Sequence, residues 1–470
     1  LIKMFIKLII ISIIIHQTIQ RLVFIQSLFR HGARYPMSKY YDWEEQQMFH
    51  GQLSPVGYRQ HYNLGKQLRK EYIIDQQFLS PNYNYQEIQV RSTDVDRTIS
   101  SAQSQLIGLY PQGFSIPQNL NPDYKRPPYQ GAQDDQQNLQ EFSLPHNLSA
   151  IPIHVRDEMD DLELQPWNRC DEYVNLVKKF KDQNIQLAQE FNKNFTQLYQ
   201  KLTSILNQEI NNYSQLGGVW GGVYDVFIAN LYNARRIPDQ LTREELENIK
   251  FVDSFSWFFG DFGTELGTKL LVTPFLKHLV DNFENKINGK YSNLKMMMFS
   301  AHDSNLSMNM RAFNFSSYQC LLQQKFGGNR QSINCELRPE FASSILWELH
   351  QDDVSQDKYF IKIKYDGKYM NLCEKENIQC DYQELKNRIM NYISKDYDGE
   401  CLNKKSQKVE KLQSFQITND DKKTEYIIIG VQSFVIFGLL LSIAFVILRY
   451  KQKIKQNVQS QVDIGFIQNS

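Results

Sequence analysis

The chain has 470 residues, of which 41% are hydrophobic, with 29 Phe and 26 Tyr. This supply of apolar side chains is ample for a sizeable core, which excludes a largely disordered protein. The 52 Lys and Arg residues balance the 52 Asp and Glu residues, so the charge gives no sign of nucleic acid as a bulk partner.

The first 20 residues have the layout of a secretory signal. Lys3 and Lys7 precede an apolar run from Leu8 to Ile15, which is short for a membrane span of about 20 residues. We therefore predict a signal peptide over residues 1–20. A core strand is predicted from about Leu22, and an uncleaved anchor would leave almost no linker before it, so we expect cleavage.

Strand, polar turn and helix follow one another twice in residues 21–116. "RLVFIQSLF" predicts a buried strand, and "LSPVGYRQHYNLGKQLRKEY" predicts a helix with Ser54 as N-cap and Pro55 in its first position. The expected apolar stripe of this helix is Tyr58, Tyr62, Leu64 and Leu68. "EIQV" predicts a short strand, and "RSTDVDRTISSAQSQLIGLYP" turns from it into another helix. This order is typical of an α/β sheet.

Residues 117–288 are loop-rich and then strongly helical, which predicts a largely α-helical cap insertion. Residues 289–404 return to strands and complete the α/β domain. "LKMMMFS" predicts a strand that runs into "AHDSN", and "ASSILWELHQ" with "YFIKIKYDG" predicts a hairpin.

An uncharged stretch of residues 426–448 begins with Tyr426, ends with Leu448 and is long enough to cross a bilayer. A buried core helix is the alternative. Positive charge gathers on the cytoplasmic side of membranes, and Arg449, Lys451, Lys453 and Lys455 follow directly. We predict a single-pass type I membrane protein with a polar stalk over residues 405–425, a transmembrane helix over residues 426–448 and a cytoplasmic tail over residues 449–470.

The cysteines agree with an oxidising compartment. The six cysteines all lie before the stalk, and their pairing is left open by the sequence alone. Sequons add weak support for secretion; they begin at Asn147, Asn194, Asn212, Asn305 and Asn314.

Unusual polar groups follow three predicted strands. They are Arg30, His31 and Arg34 after the first, Arg91 after "EIQV", and His302 with Asp303 after "LKMMMFS". Ligand sites in open α/β sheets gather beyond the carboxyl ends of strands, so we expect these groups to surround one small cavity. Guanidinium groups suit phosphate oxygens, and Gly32 is expected to let the backbone approach the anion.

These segments resemble the histidine phosphatases. "RHGARYP" is similar to their RHGxRxP signature, "AHD" to their second signature, and "VRSTDVDRTISSAQSQLIGLYP" and "RPEFASSILWEL" extend the likeness, which is greatest with the prostatic and lysosomal acid phosphatases and covers about Leu22 to Cys401. The resemblance implies an α/β fold with a mixed central sheet flanked by helices, like that of phosphoglycerate mutase. It also allows a homodimer.

The resemblance implies a role for each polar group. His31 attacks phosphorus and becomes a phosphohistidine, while Asp303 protonates the leaving oxygen and then activates water. Arg30, Arg34, Arg91 and His302 bind the phosphoryl oxygens. We expect no metal and no cofactor, because the arginines supply the charge. The alternative for "HD", a metal-dependent phosphohydrolase, needs a further cluster of His and Asp ligands.

The disulfide pairing implied by the family is Cys170–Cys401, Cys320–Cys335 and Cys373–Cys380. The candidate glycosylation sites are Asn147, Asn194, Asn212 and Asn314. Asn305 lies two residues after the expected acid, so we predict that it carries no glycan.

The sequence thus predicts a membrane-anchored acid phosphatase that acts on phosphate monoesters. The alternatives are a phytase-like inositol phosphatase and, without enzymatic activity, a surface receptor or adhesion protein on the same scaffold. The tail has no clear sorting signal, so both the lysosomal or endosomal lumen and the cell surface remain open.

Overall fold

A mixed sheet of seven strands lies at the centre of the computed structural model, within the residues that it describes: 20–37, 49–218, 222–327, 335–373 and 377–401. The strands are β1 (Gln20–Arg30), β2 (Ile88–Ser92), β3 (Met296–Ala301), β4 (Ser344–Asp352), β5 (Tyr359–Tyr365), β6 (Lys368–Tyr369) and β7 (Gln379–Asp381). Their spatial order is β2-β3-β1-β4-β5-β6, and β7 pairs with β5. The predicted α/β fold with a mixed sheet is confirmed, as is the β4–β5 hairpin.

Parallel pairing brings the carboxyl ends of β1, β2 and β3 to one edge of the sheet. Arg30 pairs with Ala301, and Ser92 pairs with Ser300. Just beyond the edge, the backbone amide of His31 donates to the carbonyl of Ala301 at 3.0 Å. The turns after these three strands therefore lie side by side.

Helices cover both faces of the sheet. Those longer than two turns are α1 (Pro55–Leu68), α2 (Asp96–Leu109), α3 (Asp171–Gln183), α4 (Ile185–Lys193), α5 (Thr196–Leu206), α6 (Val223–Tyr232), α7 (Arg243–Gly260), α8 (Glu265–Ile287), α9 (Asp303–Ala312), α10 (Tyr318–Phe326) and α11 (Tyr382–Tyr392). Single-turn helices occupy Gln136–Leu139, Tyr213–Leu216 and Tyr397–Cys401, and a π-helix over Arg69–Asp75 continues α1.

The sheet separates two apolar clusters. Ile25 and Phe29 of β1 face the cluster that includes residues of α1 and α2, whereas Phe24 and Leu28 face the cluster that includes α8. The ring of Phe24 meets Phe283 of α8 edge-on, with centroids 6.1 Å apart. Alternation along one buried strand therefore fixes both helical layers against the sheet.

Helix α1 begins as predicted, with Ser54 accepting from the amide of Gly57 and Pro55 in the first position. The predicted apolar stripe is correct only at Leu68: Tyr58 is 44% exposed, and the face turned to the core consists of Gly57, His61, Gly65 and Leu68. A side chain at position 65 would place its Cβ 1.9 Å from a backbone oxygen of α2. Close contact between the two helices thus depends on glycine, not on apolar side chains.

Between α2 and α3 the chain is mostly irregular, and α3 to α8 then follow one another before β3. That these residues form a separate cap remains a prediction. All six cysteines pair in the structure, as Cys170–Cys401, Cys320–Cys335 and Cys373–Cys380.

The expected signal peptide, stalk, transmembrane helix and tail fall on residues outside the described ranges. Among the helices within those ranges, none combines the length and the apolar character that a bilayer crossing requires.

Candidate active site

His31 follows β1 directly and is buried, with 2% of its surface exposed. Its Nδ1 lies 2.8 Å from the carbonyl oxygen of Gly32. A carbonyl only accepts, so Nδ1 carries the proton and Nε2 keeps a lone pair whenever the ring is neutral. The pKa of His31 is lowered well below its usual value, by burial first and then by the charges of Arg97, Arg30 and Arg34. The imidazole is therefore a neutral base at any mildly acidic pH.

Arg30 is the last residue of β1, and its guanidinium is held from several sides. Its Nη2 lies 3.1 Å from Oδ2 of Asp303, and its Nη1 donates to the carbonyl of Pro339 at 2.6 Å. The ring of Phe341 lies 4.3 Å from Cζ of Arg30. This environment desolvates the guanidinium and fixes its direction, which strengthens its interaction with any anion that enters.

Arg34 is also buried, and its Nη2 donates to Oδ1 of Asp225 in α6 at 2.8 Å. The other oxygen of Asp225 accepts from the backbone amide of Met37 at 2.7 Å. One carboxylate thus holds both the side chain of Arg34 and the loop that follows it.

His302 and Asp303 lie where β3 passes into α9. The His302 ring lies 5.6 Å from that of His31, and its Nε2 is 3.1 Å from the hydroxyl of Thr93. Burial by itself raises the pKa of Asp303, but Arg30 and Arg338 outweigh burial and hold this pKa well below the usual range. Asp303 is therefore a carboxylate in the ligand-free site.

Arg91 does not join this group, contrary to the sequence prediction. It lies inside β2, paired with Phe299 of β3, so its side chain points from a face of the sheet and not from the edge. Its guanidinium is bound by Asp161, at 2.6 Å, and by Glu163. Asp161 is fully buried, so Arg91 serves as its counter-ion.

Arg97 takes the place that Arg91 was expected to fill. It is the second residue of α2, beyond the end of β2, and its Nη2 lies 3.4 Å from Nδ1 of His302. Its charge is the largest electrostatic contribution that lowers the pKa of both His31 and His302. The signal was present in the sequence, since "RSTDVDR" has a second arginine at the start of the predicted helix.

Gly32 has a different role from the one expected. A Cβ at this position would lie 2.5 Å from the carbonyl oxygen of Gly57 in α1, and the Gly32 amide already donates to Ser101 at 3.1 Å. Glycine is therefore required here for contact with α1, and its amide is engaged within the protein.

Asn305 lies in the first turn of α9 and is 1% exposed. Its side-chain amide donates to the carbonyl of Leu164 at 2.8 Å, and its oxygen accepts from the amide of His302. A glycan on that nitrogen would displace both contacts beside the site. Asn194 and Asn314 are exposed, whereas Asn147 and Asn212 are half-buried.

Within the described ranges, three ligand-type side chains meet closely enough for a metal only at Cys373, Cys380 and Glu384. Because the two sulfurs form a disulfide, this group offers no thiolate. The cluster around His31 instead offers guanidinium groups, which bind anions. An anion is the ligand that this arrangement fits.

Comparison with known proteins agrees with this chemistry. Residues 21–366 match the family model of the histidine phosphatase superfamily (branch 2). Lysosomal acid phosphatase of Xenopus laevis is 32% identical over 300 residues, an alignment that spans 61% of this chain and 60% of that protein. Prostatic acid phosphatase of Homo sapiens is 25% identical over 404 residues, which cover 82% of this chain and 88% of that protein.

Solved structures resemble this chain in fold alone. The phytase of Hafnia alvei in complex with myo-inositol hexakis sulphate has a TM-score of 0.55 at 13% identity and covers 80% of this chain and 98% of its own. The phytase of Klebsiella sp ASR1 has a TM-score of 0.54 at 14% identity, with coverages of 80% and 97%.

Proposed function

The chain belongs to the histidine phosphatase superfamily (branch 2), and we propose that it is an acid phosphatase that hydrolyses phosphate monoesters through a phosphohistidine on His31. One observation carries the proposal. Nδ1 of His31 donates to the carbonyl of Gly32, so the lone pair of the neutral ring lies on Nε2. A neutral imidazole surrounded by guanidinium groups is the form that can attack the phosphorus of a bound anion.

The reaction has two steps. In the first, Nε2 of His31 bonds to phosphorus, the bond from phosphorus to the leaving oxygen breaks, and Asp303 gives that oxygen a proton. In the second, water loses a proton to Asp303, its oxygen bonds to phosphorus, and the phosphorus–nitrogen bond breaks. The products are an alcohol and inorganic phosphate, and both side chains return to their starting forms.

Arg30, Arg34 and Arg97 bind the phosphoryl oxygens and offset the charge that develops on them. His302 lies against Arg97 and belongs to the same set. Asp225 already holds Arg34 at 2.8 Å, so little reorganisation is needed when the anion arrives. Arg91 is left out, since two carboxylates occupy its guanidinium.

Acid favours this reaction through Asp303. The carboxylate is ionised in the ligand-free site because Arg30 and Arg338 stabilise its charge. A bound phosphate competes for Arg30 and adds negative charge nearby, and both effects raise the pKa of Asp303. Asp303 therefore takes up its proton when the substrate binds, and it does so more readily as the pH falls.

Replacing His31 tests the proposal. H31A should lose activity toward p-nitrophenyl phosphate by several orders of magnitude, and H154A, at an exposed histidine, should keep it. A ³²P-labelled substrate quenched in alkali should leave label on the wild-type protein and none on H31A. Wild-type turnover by a folded H31A would overturn the proposal.

The substrate class needs a second comparison. The phytase structures are similar in fold alone, at 13–14% identity, and give no reason to prefer inositol phosphates. The experiment measures kcat/KM for nucleotide, phosphotyrosyl, sugar and lysophospholipid monoesters and for inositol hexakisphosphate. These values distinguish a general acid phosphatase from a phytase. A kcat/KM for the inositol ester that exceeds all the others would favour a phytase.

The membrane topology is a separate part of the proposal. The uncharged stretch from Tyr426 to Leu448, followed by four cations, supports a single-pass type I protein with its phosphatase domain in the lysosomal lumen or at the cell surface. Resistance to alkaline carbonate extraction would support the anchor, and release into the supernatant would contradict it. A homodimer also remains a prediction, which sedimentation of the purified protein checks.

A further inference from the structure

Arg338 is a buried guanidinium that joins two acidic side chains from different parts of the chain. Its Nε and Nη2 lie 3.1 and 2.8 Å from Oδ2 of Asp303, and its Nη1 lies 2.9 Å from Oδ1 of Asp253. The side chain of Asp253 is 1% exposed, and those of Arg338 and Asp303 are each 12% exposed. Every donor nitrogen of Arg338 is thus bound to a carboxylate.

One face of α7 holds Arg338 in place. Besides Asp253, this face contributes Ser254, whose hydroxyl accepts from the Arg338 amide at 3.2 Å, and Trp257, whose ring lies 3.7 Å from Cζ of Arg338. The indole is itself fixed, because its Nε1 donates to the hydroxyl of Ser307 in α9 at 2.7 Å. Neither the position nor the direction of the guanidinium can change without moving α7 or α9.

We propose that Arg338 is a positioning residue that fixes the Asp303 carboxylate and keeps it ionised between turnovers, and that Asp253 and Trp257 orient Arg338 for this task. The inference rests on the proposed function, in which Asp303 moves the proton. It assigns to Arg338 no contact with the substrate.

The geometry divides the two oxygens of Asp303 between different partners. Oδ2 accepts from Arg338 and lies 3.1 Å from Arg30, whereas Oδ1 accepts from the amide of Ser304 at 3.0 Å. Arg30 is in the phosphate-binding set, so the bound phosphate shares its charge, whereas Arg338 has only carboxylate partners and is the cation that serves Asp303 throughout the reaction. The other charged or titratable groups that face Asp303 are Arg34, Arg97, His302, Asp253 and Asp261.

This arrangement has a consequence for the working pH. A cation that remains beside Asp303 favours its ionised form and so opposes uptake of the proton that the leaving oxygen needs. The leaving group is then protonated efficiently only in acid. Burial raises the pKa of Asp253 to about 6, an effect that Arg338 opposes, so Arg338 is shared with a second carboxylate above that pH.

The experiment measures kcat/KM against pH for an alkyl phosphate, whose leaving oxygen needs a proton, and for p-nitrophenyl phosphate, whose leaving group needs little help. In R338M the descending alkaline limb for the alkyl ester should move up by about one pH unit, with a smaller shift for the aryl ester. R338K keeps the cation, so its alkaline limb should move by no more than half as far as that of R338M. If R338M does not fold because Asp253 is left unpaired, D253N/R338M removes both charges and carries the same expectation.

Three results would overturn the inference: an unmoved limb in a folded variant, equal shifts for the two esters, or a shift in R338K as large as that in R338M. Equal shifts would mean that Arg338 acts on phosphate binding and not on Asp303. Failure of the proposed function is distinct, since it would appear as full activity in H31A. An inactive H31A with an unmoved limb in R338M removes only the role of Arg338.

Discussion

Arg97 and Arg91 lie six positions apart in one segment, and replacing each with Met should give opposite results. R97M removes a guanidinium that lies 3.4 Å from His302 and whose charge acts on His31. Loss of one preorganised donor to a developing oxyanion costs about 100- to 1000-fold in kcat. We expect a loss of that size in R97M, with the free energy of unfolding little changed.

R91M should act on stability. Asp161 is fully buried, and its Oδ1 lies 2.6 Å from Arg91. Removing one partner of a buried ion pair leaves an uncompensated charge and costs about 3 to 5 kcal/mol. We expect a loss of unfolding free energy in that range, and a kcat for the folded fraction within a few-fold of wild type. D161N/R91M, which removes both charges, should recover most of the stability.

Urea unfolding and steady-state kinetics with p-nitrophenyl phosphate on the same preparations separate the two effects. R97K serves as the control that retains a cation without the planar fork, and it should lie between wild type and R97M. A folded R91M that loses about 100-fold in kcat, beside a nearly unaffected R97M, would refute the assignment.

Three further predictions concern stability. G32A should cost about 1 to 3 kcal/mol, because its Cβ would lie 2.5 Å from the Gly57 oxygen, and a urea midpoint equal to that of wild type would contradict it. Burial lowers the pKa of His61 to about 4, so below about pH 6.5 the unfolded chain binds more protons than the folded protein. As the pH falls from 7 to 4, this group should therefore lower the free energy of unfolding by about 3 kcal/mol. H61N should flatten that part of the pH dependence, and an unchanged slope would count against a neutral His61. C170S/C401S opens a link across 231 residues and should cost about 5 kcal/mol on the chain-entropy estimate, which chemical unfolding would reveal as a lower midpoint.

The sheet and its functional edge could be predicted from the sequence because their signals are local. A buried apolar run that ends in polar residues identifies a strand and its carboxyl end, and parallel pairing then brings such ends together. Arg30, His31, Arg34, His302 and Asp303 are placed together for this reason.

What could not be predicted depends on details finer than the pattern. The choice between Arg91 and Arg97 turns on where β2 ends, and β2 reaches Ser92 instead of the expected Val90. The core face of α1 consists of two glycines, a histidine and one leucine, and a search for an apolar stripe finds only the leucine. The partners of Arg338 lie in α7 and α9, which are distant from it in sequence, so no local pattern predicts its role.

The central position of β1 has a consequence for biosynthesis. This strand, with Phe24, Ile25, Leu28 and Phe29 fully buried in the folded protein, leaves the ribosome about 265 residues before its neighbour β3. At about 5 to 20 residues per second, the nascent chain carries an unpaired apolar strand for roughly 15 to 50 s. Soluble yield should therefore depend on chaperones that shield this segment during translation, and their coexpression should raise it.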